Sequence, residues 1–303
     1  MGRYLALLLL LSMPVGAEQL THDGIVRDYT IAAPPHENIT RKLPLVLVLH
    51  GAGGTGRYAL NTYHWGDRAV ADGFIAVAPN ALPPRLNEPA RFRDNPAYWN
   101  DLSGRGAVAH HTIDDVGFIA AVIDAVSGAY PVDPARIYVT GFSSGASMAH
   151  LLGMRLSNRL AAIAPVAGRN WIAEAPTTRL PVLLIYGDSD PLHPFHGGRP
   201  RTPWGDGPLE TPIDDIATTW AGLLDCPVTA TNDTPAPHLR RRTWTGCGAG
   251  SDLTYLVVEG LGHHWSQGKR DGLPETVAGP NSAALNTTET IWQFFRAHPK
   301  ASR

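Results

Sequence analysis

Arg136-Ile137-Tyr138-Val139-Thr140-Gly141-Phe142-Ser143-Ser144-Gly145-Ala146-Ser147-Met148-Ala149-His150-Leu151-Leu152 decides how the chain is read. The first five residues are a β-rich run, and residues 146–152 have helical character. Between them lies Gly-x-Ser-x-Gly. Strand before and helix after are the context in which this motif carries a nucleophile, because the serine then sits on a tight strand-to-helix turn. A Cβ at either flanking glycine would crowd so sharp a turn. The start of the following helix also aims unpaired N–H groups at the same point, which favours a developing negative charge. Ser143 is therefore the candidate nucleophile.

Working outward, the chain alternates buried strands with helices. Pro44-Leu45-Val46-Leu47-Val48-Leu49 is a continuous apolar run of the kind a strand covered on both faces requires. The glycine-rich segment His50-Gly51-Ala52-Gly53-Gly54-Thr55-Gly56 follows, then a helical pattern over 58–72 and a second buried strand over 74–78. Further strands are expected at 161–166, 181–186 and 255–258, and helices at 114–129, 213–224 and 283–297. Residues 25–33 alternate as a half-exposed strand. The order is that of a doubly wound α/β fold with a mostly parallel sheet and helices on both faces. There is no internal repeat and no linker, so residues 18–303 are expected to form a single catalytic domain. Two long irregular stretches, 80–112 and 192–211, are candidate pocket walls.

A serine hydroxyl needs a base to take its proton, and the base needs a carboxylate to orient it. In this fold both follow the serine at the ends of later strands, acid before histidine. Gly187-Asp188-Ser189-Asp190-Pro191 follows the strand at 181–186, and Gly260-Leu261-Gly262-His263-His264-Trp265 follows the strand at 255–258. Asp190 is favoured over Asp188 because Pro191 fixes the chain direction beyond it. His263 is favoured over His264 because it directly follows Gly262. Two amides are expected to form an oxyanion hole: Ser144, next to the nucleophile, and Ala52 in the glycine-rich loop. That loop lacks the Gly-Lys-Ser/Thr ending and the glycine spacing of phosphate-binding loops.

Metal readings are weak. His110-His111, His193-x-x-His196 and His263-His264 fit no H-E-x-x-H pattern, so neither metal nor cofactor is expected. Asp114 and Asp115 read as carboxylates satisfying the first turn of a helix. Trp99 and Trp265, with Trp171 and Trp204, are candidate aromatic walls for an aryl or sugar group.

The chain has 303 residues, 44% of them hydrophobic and 17% charged, with a net charge of −2. It has no Lys/Arg block, which argues against a nucleic-acid partner. Residues 1–17 combine Arg3, an apolar run from Leu5 to Leu11, and Val15-Gly16-Ala17, which predicts a secretory signal peptide cleaved after Ala17 and too short to span a membrane. The expected location is periplasmic or extracellular, with no stable membrane insertion after cleavage. Export makes a Cys226–Cys247 disulfide the expected state of the two cysteines. Three glycosylation-type sequons begin at Asn38, Asn232 and Asn286 and matter only in a eukaryotic secretory route.

With these residues placed, the chain resembles the secreted feruloyl esterase and polyhydroxybutyrate depolymerase family of α/β-hydrolases over most of residues 40–295. The resemblance rests on Leu49-His50-Gly51, Tyr98-Trp99-Asn100-Asp101, Asp114-Asp115-Val116-Gly117-Phe118, the run Val132 to Gly145, Gly187 to Pro191 and Gly260 to Trp265. It implies the α/β-hydrolase fold, Ser143 as nucleophile, Asp190 as acid, His263 as base, and a counterpart for the late cysteine pair in Cys226 and Cys247. The chain departs in carrying Ala52 where many members have cysteine, and His264-Trp265-Ser266-Gln267 where the family has Thr-Trp-Pro-Gly. Polymer-degrading relatives often carry an added binding domain, for which this length leaves no room. The expected function is thus a serine carboxylesterase of the feruloyl or acetylxylan type acting through an acyl-enzyme on a carbohydrate-linked or aryl ester. A short-chain hydroxybutyrate polyester or oligomer hydrolase is the alternative. A non-catalytic binder on a hydrolase scaffold and a peptidase of the same fold are lesser ones.

Overall fold

The computed structural model describes residues 16–35, 39–104, 112–269 and 272–300. In chain order the elements are strands β1 (Gly16–His22), β2 (Ile25–Ala32) and β3 (Leu43–Leu49), helices α1 (Gly56–Thr62) and α2 (Trp65–Asp72), β4 (Ile75–Pro79), α3 (Asp115–Ala129), β5 (Val132–Phe142) and α4 (Ser144–Arg155). There follow β6 (Ala162–Val166), β7 (Val182–Gly187), a small hairpin of β8 (Arg201–Thr202) and β9 (Gly205–Asp206), and α5 (Asp214–Leu223). The chain continues with β10 (Thr231–Ala236), β11 (Leu239–Trp244), β12 (Leu253–Val258), α6 (Glu275–Ala278) and α7 (Thr287–Ala297).

Ten strands form one sheet in the order β1-β2-β4-β3-β5-β6-β7-β12-β11-β10. The six central strands, β4 to β12 in that order, run parallel, and antiparallel pairs close both edges. Every residue of β3, β4, β6 and β7 is buried, as their unbroken apolar sequences require. Alternation along β3 divides the core. Leu45, Leu47 and Leu49 face a layer containing Phe118 and Val122 of α3, Leu152 of α4 and Trp220 of α5. Val46 and Val48 face the opposite layer, with Leu60 of α1, Trp65 of α2 and Trp292 and Phe295 of α7. Helices therefore cover both faces, and the loops at the carboxyl ends of the parallel strands are left free to form a site.

Three expectations change. The helical pattern over 58–72 is two helices, broken where His64 takes a φ of 60°. The last helix begins at Thr287, because the Asn286 side chain accepts from the Glu289 amide and caps it there. Asp114 does cap α3, through the Gly117 amide at 2.8 Å. Asp115 does not; it is buried, pairs with Arg27 of β2 at 2.7 Å and accepts from the Asn100 amide at 2.7 Å, locking β2, α3 and the 80–112 stretch together. The edge hairpin β10–β11 was not foreseen.

β1 starts at Gly16, and Ala17 pairs with Thr30 of β2, so cleavage after Ala17 would remove the first two residues of an edge strand. The rest of the expected signal peptide, residues 1–15, lies outside the described residues, as do His110 and His111. Cys226 and Cys247 form a disulfide that encloses β10 and β11. Among the described residues no helix is long and apolar enough to cross a membrane.

Candidate active site

β5 and α4 build the turn that the sequence announces. Ser143 sits between them with φ 56° and ψ −120°, a left-handed conformation that a residue with a Cβ avoids. Its amide donates to the Val166 carbonyl of the neighbouring β6 at 3.0 Å, which helps hold the strained turn. The flanking glycines are required by close approach. A Cβ on Gly141 would lie 2.4 Å from the Gly145 carbonyl oxygen, and one on Gly145 would lie 2.3 Å from the Leu49 carbonyl oxygen.

The ends of β7 and β12 bring Asp190 and His263 together. His263 Nδ1–H donates to Asp190 Oδ2 at 2.7 Å, and both side chains are buried. Asp190 Oδ1 accepts the amides of Leu192 at 2.7 Å and His193 at 2.9 Å. Burial pushes the Asp190 carboxyl up, but the His263 imidazole, the hydrogen bond it donates and the nearby His193 outweigh burial and hold it below the ordinary carboxylate value. An ionised Asp190 fixes the proton of His263 on Nδ1 and leaves Nε2 as the basic nitrogen. The competing residues have other work. Asp188 accepts the Gly260 amide at 2.8 Å and pairs with Arg240 at 3.1 Å, stitching the turn after β7 to the turn after β12. His264 Nε2–H donates to the Gly279 carbonyl at 2.8 Å.

The loop after β3 is set by His50. Its Nδ1–H donates to the Gly51 carbonyl at 2.8 Å, and its Nε2 accepts the Ala81 amide at 3.0 Å. Desolvation by complete burial lowers its pKa to about 4, so the ring is neutral, as this bonding pattern needs. The Gly54 amide also donates to Gly51 O, at 3.0 Å. The carbonyl of the Gly51–Ala52 peptide is thus held from two sides. In a trans peptide the N–H points opposite to the carbonyl, so the Ala52 amide is aimed away from both donors. Among the described residues neither the Ala52 amide nor the Ser144 amide has an intramolecular acceptor, whereas Gly53 donates to Ala97 O.

Ser143, His263 and Ala52 border one cavity of about 620 Å³. Its walls are aromatic. Tyr63 stacks on Trp265 with ring centroids 4.5 Å apart, and Phe142 lies 4.7 Å from the His263 ring. On another side Trp204 packs 5.0 Å from Phe92 and donates its indole N–H to the Phe92 carbonyl at 2.7 Å, so the stretches 80–112 and 192–211 meet at the cavity. Leu192, Lys269 and Glu275 also line the cavity.

Trp99 corrects an expectation. It is buried beneath the cavity, donates its N–H to the His50 carbonyl at 2.9 Å and does not line the site. Trp171 is not a lining residue either. Tyr58, Tyr63 and Phe142 went unread as lining residues. For Phe142 a signal existed, since the residue before the nucleophile necessarily stands at the site.

Of the histidines read as metal candidates, His193 and His196 have other partners, and His110 and His111 lie outside the described residues. His193 bonds to Glu210, and the His196 ring packs on Phe195. Among the described residues His22, Asp23 and Asp114 have ligand spacing, but both carboxylates are exposed and the group is not part of the cavity.

The chain is similar to known esterases. The phospholipase/carboxylesterase family matches residues 36–201. The protein NocK of Nocardia uniformis subsp. tsuyamanensis, named as an esterase, is 30% identical over 92% of this chain and 81% of its own. The bifunctional acetylxylan esterase/xylanase XynS20E of Neocallimastix patriciarum is 24% identical over 87% of this chain, which spans only 35% of that longer protein. Among solved structures, native sOPH has a TM-score of 0.63 at 15% identity, covering 96% of this chain and 89% of its own, a likeness of fold. The chain belongs to the phospholipase/carboxylesterase family, has the α/β-hydrolase fold and is a carboxylic ester hydrolase.

Proposed function

We propose that this member of the phospholipase/carboxylesterase family is an exported serine esterase of the feruloyl or acetylxylan type, working through Ser143, His263 and Asp190. The observation that carries the reading is the 2.7 Å bond from His263 Nδ1 to an ionised Asp190, with His263 and the strained Ser143 bordering the same aromatic cavity. Ser143 Oγ attacks the ester carbonyl while His263 Nε2 takes its proton. The Ala52 and Ser144 amides receive the oxyanion. The imidazolium returns the proton to the departing alcohol, leaving an acyl-serine; water then attacks with the same base and frees the acid.

The cavity supports an aryl or carbohydrate-linked substrate. Its volume far exceeds an acetyl group, and Tyr63, Phe92, Trp204 and Trp265 offer flat apolar faces of the kind that receive aromatic rings and the apolar faces of sugars. Esters of acetylxylan and ferulate are also the substrates in the names of several relatives. Export is supported by the residues 1–17 pattern and by the Cys226–Cys247 disulfide, which persists best in an oxidising compartment.

The test is a side-by-side assay of p-nitrophenyl acetate, methyl ferulate, acetylated xylan and hydroxybutyrate oligomers. Methyl ferulate or acetylated xylan is expected to be turned over fastest among the non-activated esters, with loss of roughly 10⁴-fold or more in folded Ser143→Ala. Preference for the hydroxybutyrate oligomers would reassign the substrate, and full turnover by Ser143→Ala would remove the mechanism.

A further inference from the structure

A second histidine–carboxylate pair lies directly behind the Asp190–His263 pair. His193 Nδ1 sits 3.1 Å from both oxygens of Glu210, and its ring is 5.5 Å from the ring of His263. Glu210 Oε2 is 3.3 Å from Arg169 Nη1. Arg169 Nη2 donates to Thr211 O at 2.7 Å and Thr211 Oγ1 at 3.0 Å, and the Arg169 amide donates to Ser147 Oγ on α4 at 3.0 Å. All three side chains are buried, with 4% or less of each exposed. Placing an arginine and a glutamate out of water is costly, and apolar side chains of the same volume would stabilise the fold as well or better. A charged pair retained at such a place, one residue shell from an acid–base couple, points to a role in that couple.

The connections say which role. His193 belongs to the loop after β7, and its amide already holds Asp190 Oδ1. Glu210 stands at the far end of the 192–211 stretch, where Gly198 and Glu210 exchange two backbone hydrogen bonds of 2.9 and 2.8 Å. Arg169 follows β6, beside the turn that carries Ser143. The three side chains thus join the nucleophile's neighbourhood, the acid's loop and the wall that carries Trp204. Burial keeps His193 below the ordinary imidazole value, so the ring is neutral and donates its Nδ1 proton to Glu210. Among the described residues, Arg169 is then the cation that balances Glu210.

We propose that Arg169, Glu210 and His193 are positioning residues forming a buried, charge-balanced unit that holds the Asp190 loop and sets the field in which His263 takes and returns its proton. The proposal rests on the Ser143–His263–Asp190 reading above. The groups facing His263 are Asp190 and His193 from the loop after β7 and Phe142 from β5. Ser143, Lys269 and Glu275 border the same cavity, while the neighbouring His264 is turned to Gly279. Changing only the charge behind His193 therefore leaves every direct contact of His263 in place.

The test is the acid limb of kcat/KM against pH for p-nitrophenyl acetate, in variants confirmed folded by their thermal melts. Glu210→Gln keeps the shape and removes a negative charge, which disfavours the imidazolium; its acid limb is expected to move down by roughly 0.5–1 pH unit. Arg169→Met removes the opposing charge, and its limb is expected to move up by about as much. The double variant is expected to return to within about 0.3 pH unit of the parent. A purely structural role would lower turnover or melting temperature and leave the limb where it was. An unmoved limb in folded Glu210→Gln overturns the proposal by itself, whether or not Arg169→Met folds. Ser143→Ala separates the two levels: if that variant is inactive and the limb is unmoved, the charge unit fails alone, whereas turnover surviving in Ser143→Ala removes both.

Discussion

Ser143 keeps a left-handed backbone only because its surroundings leave no alternative, and those surroundings are two glycines and one hydrogen bond from its amide to the Val166 carbonyl. Gly145→Ala would press a Cβ against the carbonyl oxygens of Leu49 and His50, at 2.3 and 2.5 Å. Both are backbone at the end of β3, where it enters the glycine-rich loop, and cannot rotate away. The expected result is a loss of about 3 kcal/mol or more in a denaturant melt, with turnover falling in whatever protein folds; a folded, fully active Gly145→Ala would show the turn to be looser than drawn. His50 acts one step further out. His50→Phe leaves the Gly51 carbonyl without one of its two donors, and the Ala52 amide, the proposed oxyanion donor, is freed to swing. Turnover is expected to fall about 10²-fold with KM changing far less, measured on p-nitrophenyl acetate; a KM effect without loss of kcat would contradict it. That Ser143 would stand on a tight strand-to-helix turn and that Asp190 and His263 would meet was legible because motif, strand ends and chain order each constrain them. Trp99 and Asp115 were not. Whether an indole faces a cavity or a buried carbonyl, and whether a helix-start carboxylate caps or meets an arginine 88 residues away, depends on partners that no local pattern names.

At the scale of elements, the legible parts are those with a strong period or an unbroken apolar run. β3, β4, β6 and β7 announce themselves because strands covered on both faces admit almost no polar residue. β10 was hidden for the opposite reason. Its sequence Thr-Asn-Asp-Thr-Pro-Ala is polar and mostly exposed, the composition of an edge strand whose pairing is decided by β11 and not by burial. The break between α1 and α2 is a tertiary matter: Tyr63 leaves the helix to stack on Trp265 at the cavity. The two long irregular stretches were legible as walls but not as partners. Their junction is the Trp204 ring between Phe92 and Tyr98, with centroids 5.0 and 5.5 Å away, and the indole bond to Phe92 O. Trp204→Ala opens that junction while leaving Ser143 and His263 untouched. KM for an aryl ester such as methyl ferulate is expected to rise roughly tenfold, in line with the loss of one aromatic contact, and KM for p-nitrophenyl acetate to change much less. Equal effects on both esters would mean that Trp204 supports the fold and not the substrate.

For the whole molecule, stability is tied to pH by histidines buried in neutral form, among them His50 after β3 and His150 of α4. His50 accepts the Ala81 amide, and burial brings its pKa to about 4. His150 accepts the indole N–H of Trp220 at 2.8 Å, and burial brings its pKa to about 3, with Arg169 adding to the effect. Neither can be protonated without losing an acceptor that a buried donor needs. In the unfolded chain both titrate at their ordinary value of 6.5. Between that value and about 4 the unfolded state therefore binds more protons than the folded one, so unfolding free energy rises with pH and falls as the medium is acidified. Each histidine contributes about 1.4 kcal/mol per pH unit well inside the window, and the pair about twice that. Asp190 works in the same direction lower down. Its folded pKa is depressed, so the stability it contributes is present above the ordinary carboxylate value and lost below it. Urea midpoints at constant ionic strength are expected to drop steeply from pH 6 to pH 4.5 and to be nearly flat from pH 7 to pH 8. His150→Gln removes one of these titrating groups, leaving His50 and the buried neutral His193, and is expected to reduce the slope while lowering stability throughout. A midpoint independent of pH between 6 and 4.5, or an undiminished slope in His150→Gln, would mean that these rings are protonated in the folded protein and that His50 does not hold the loop after β3 as an acceptor of the Ala81 amide.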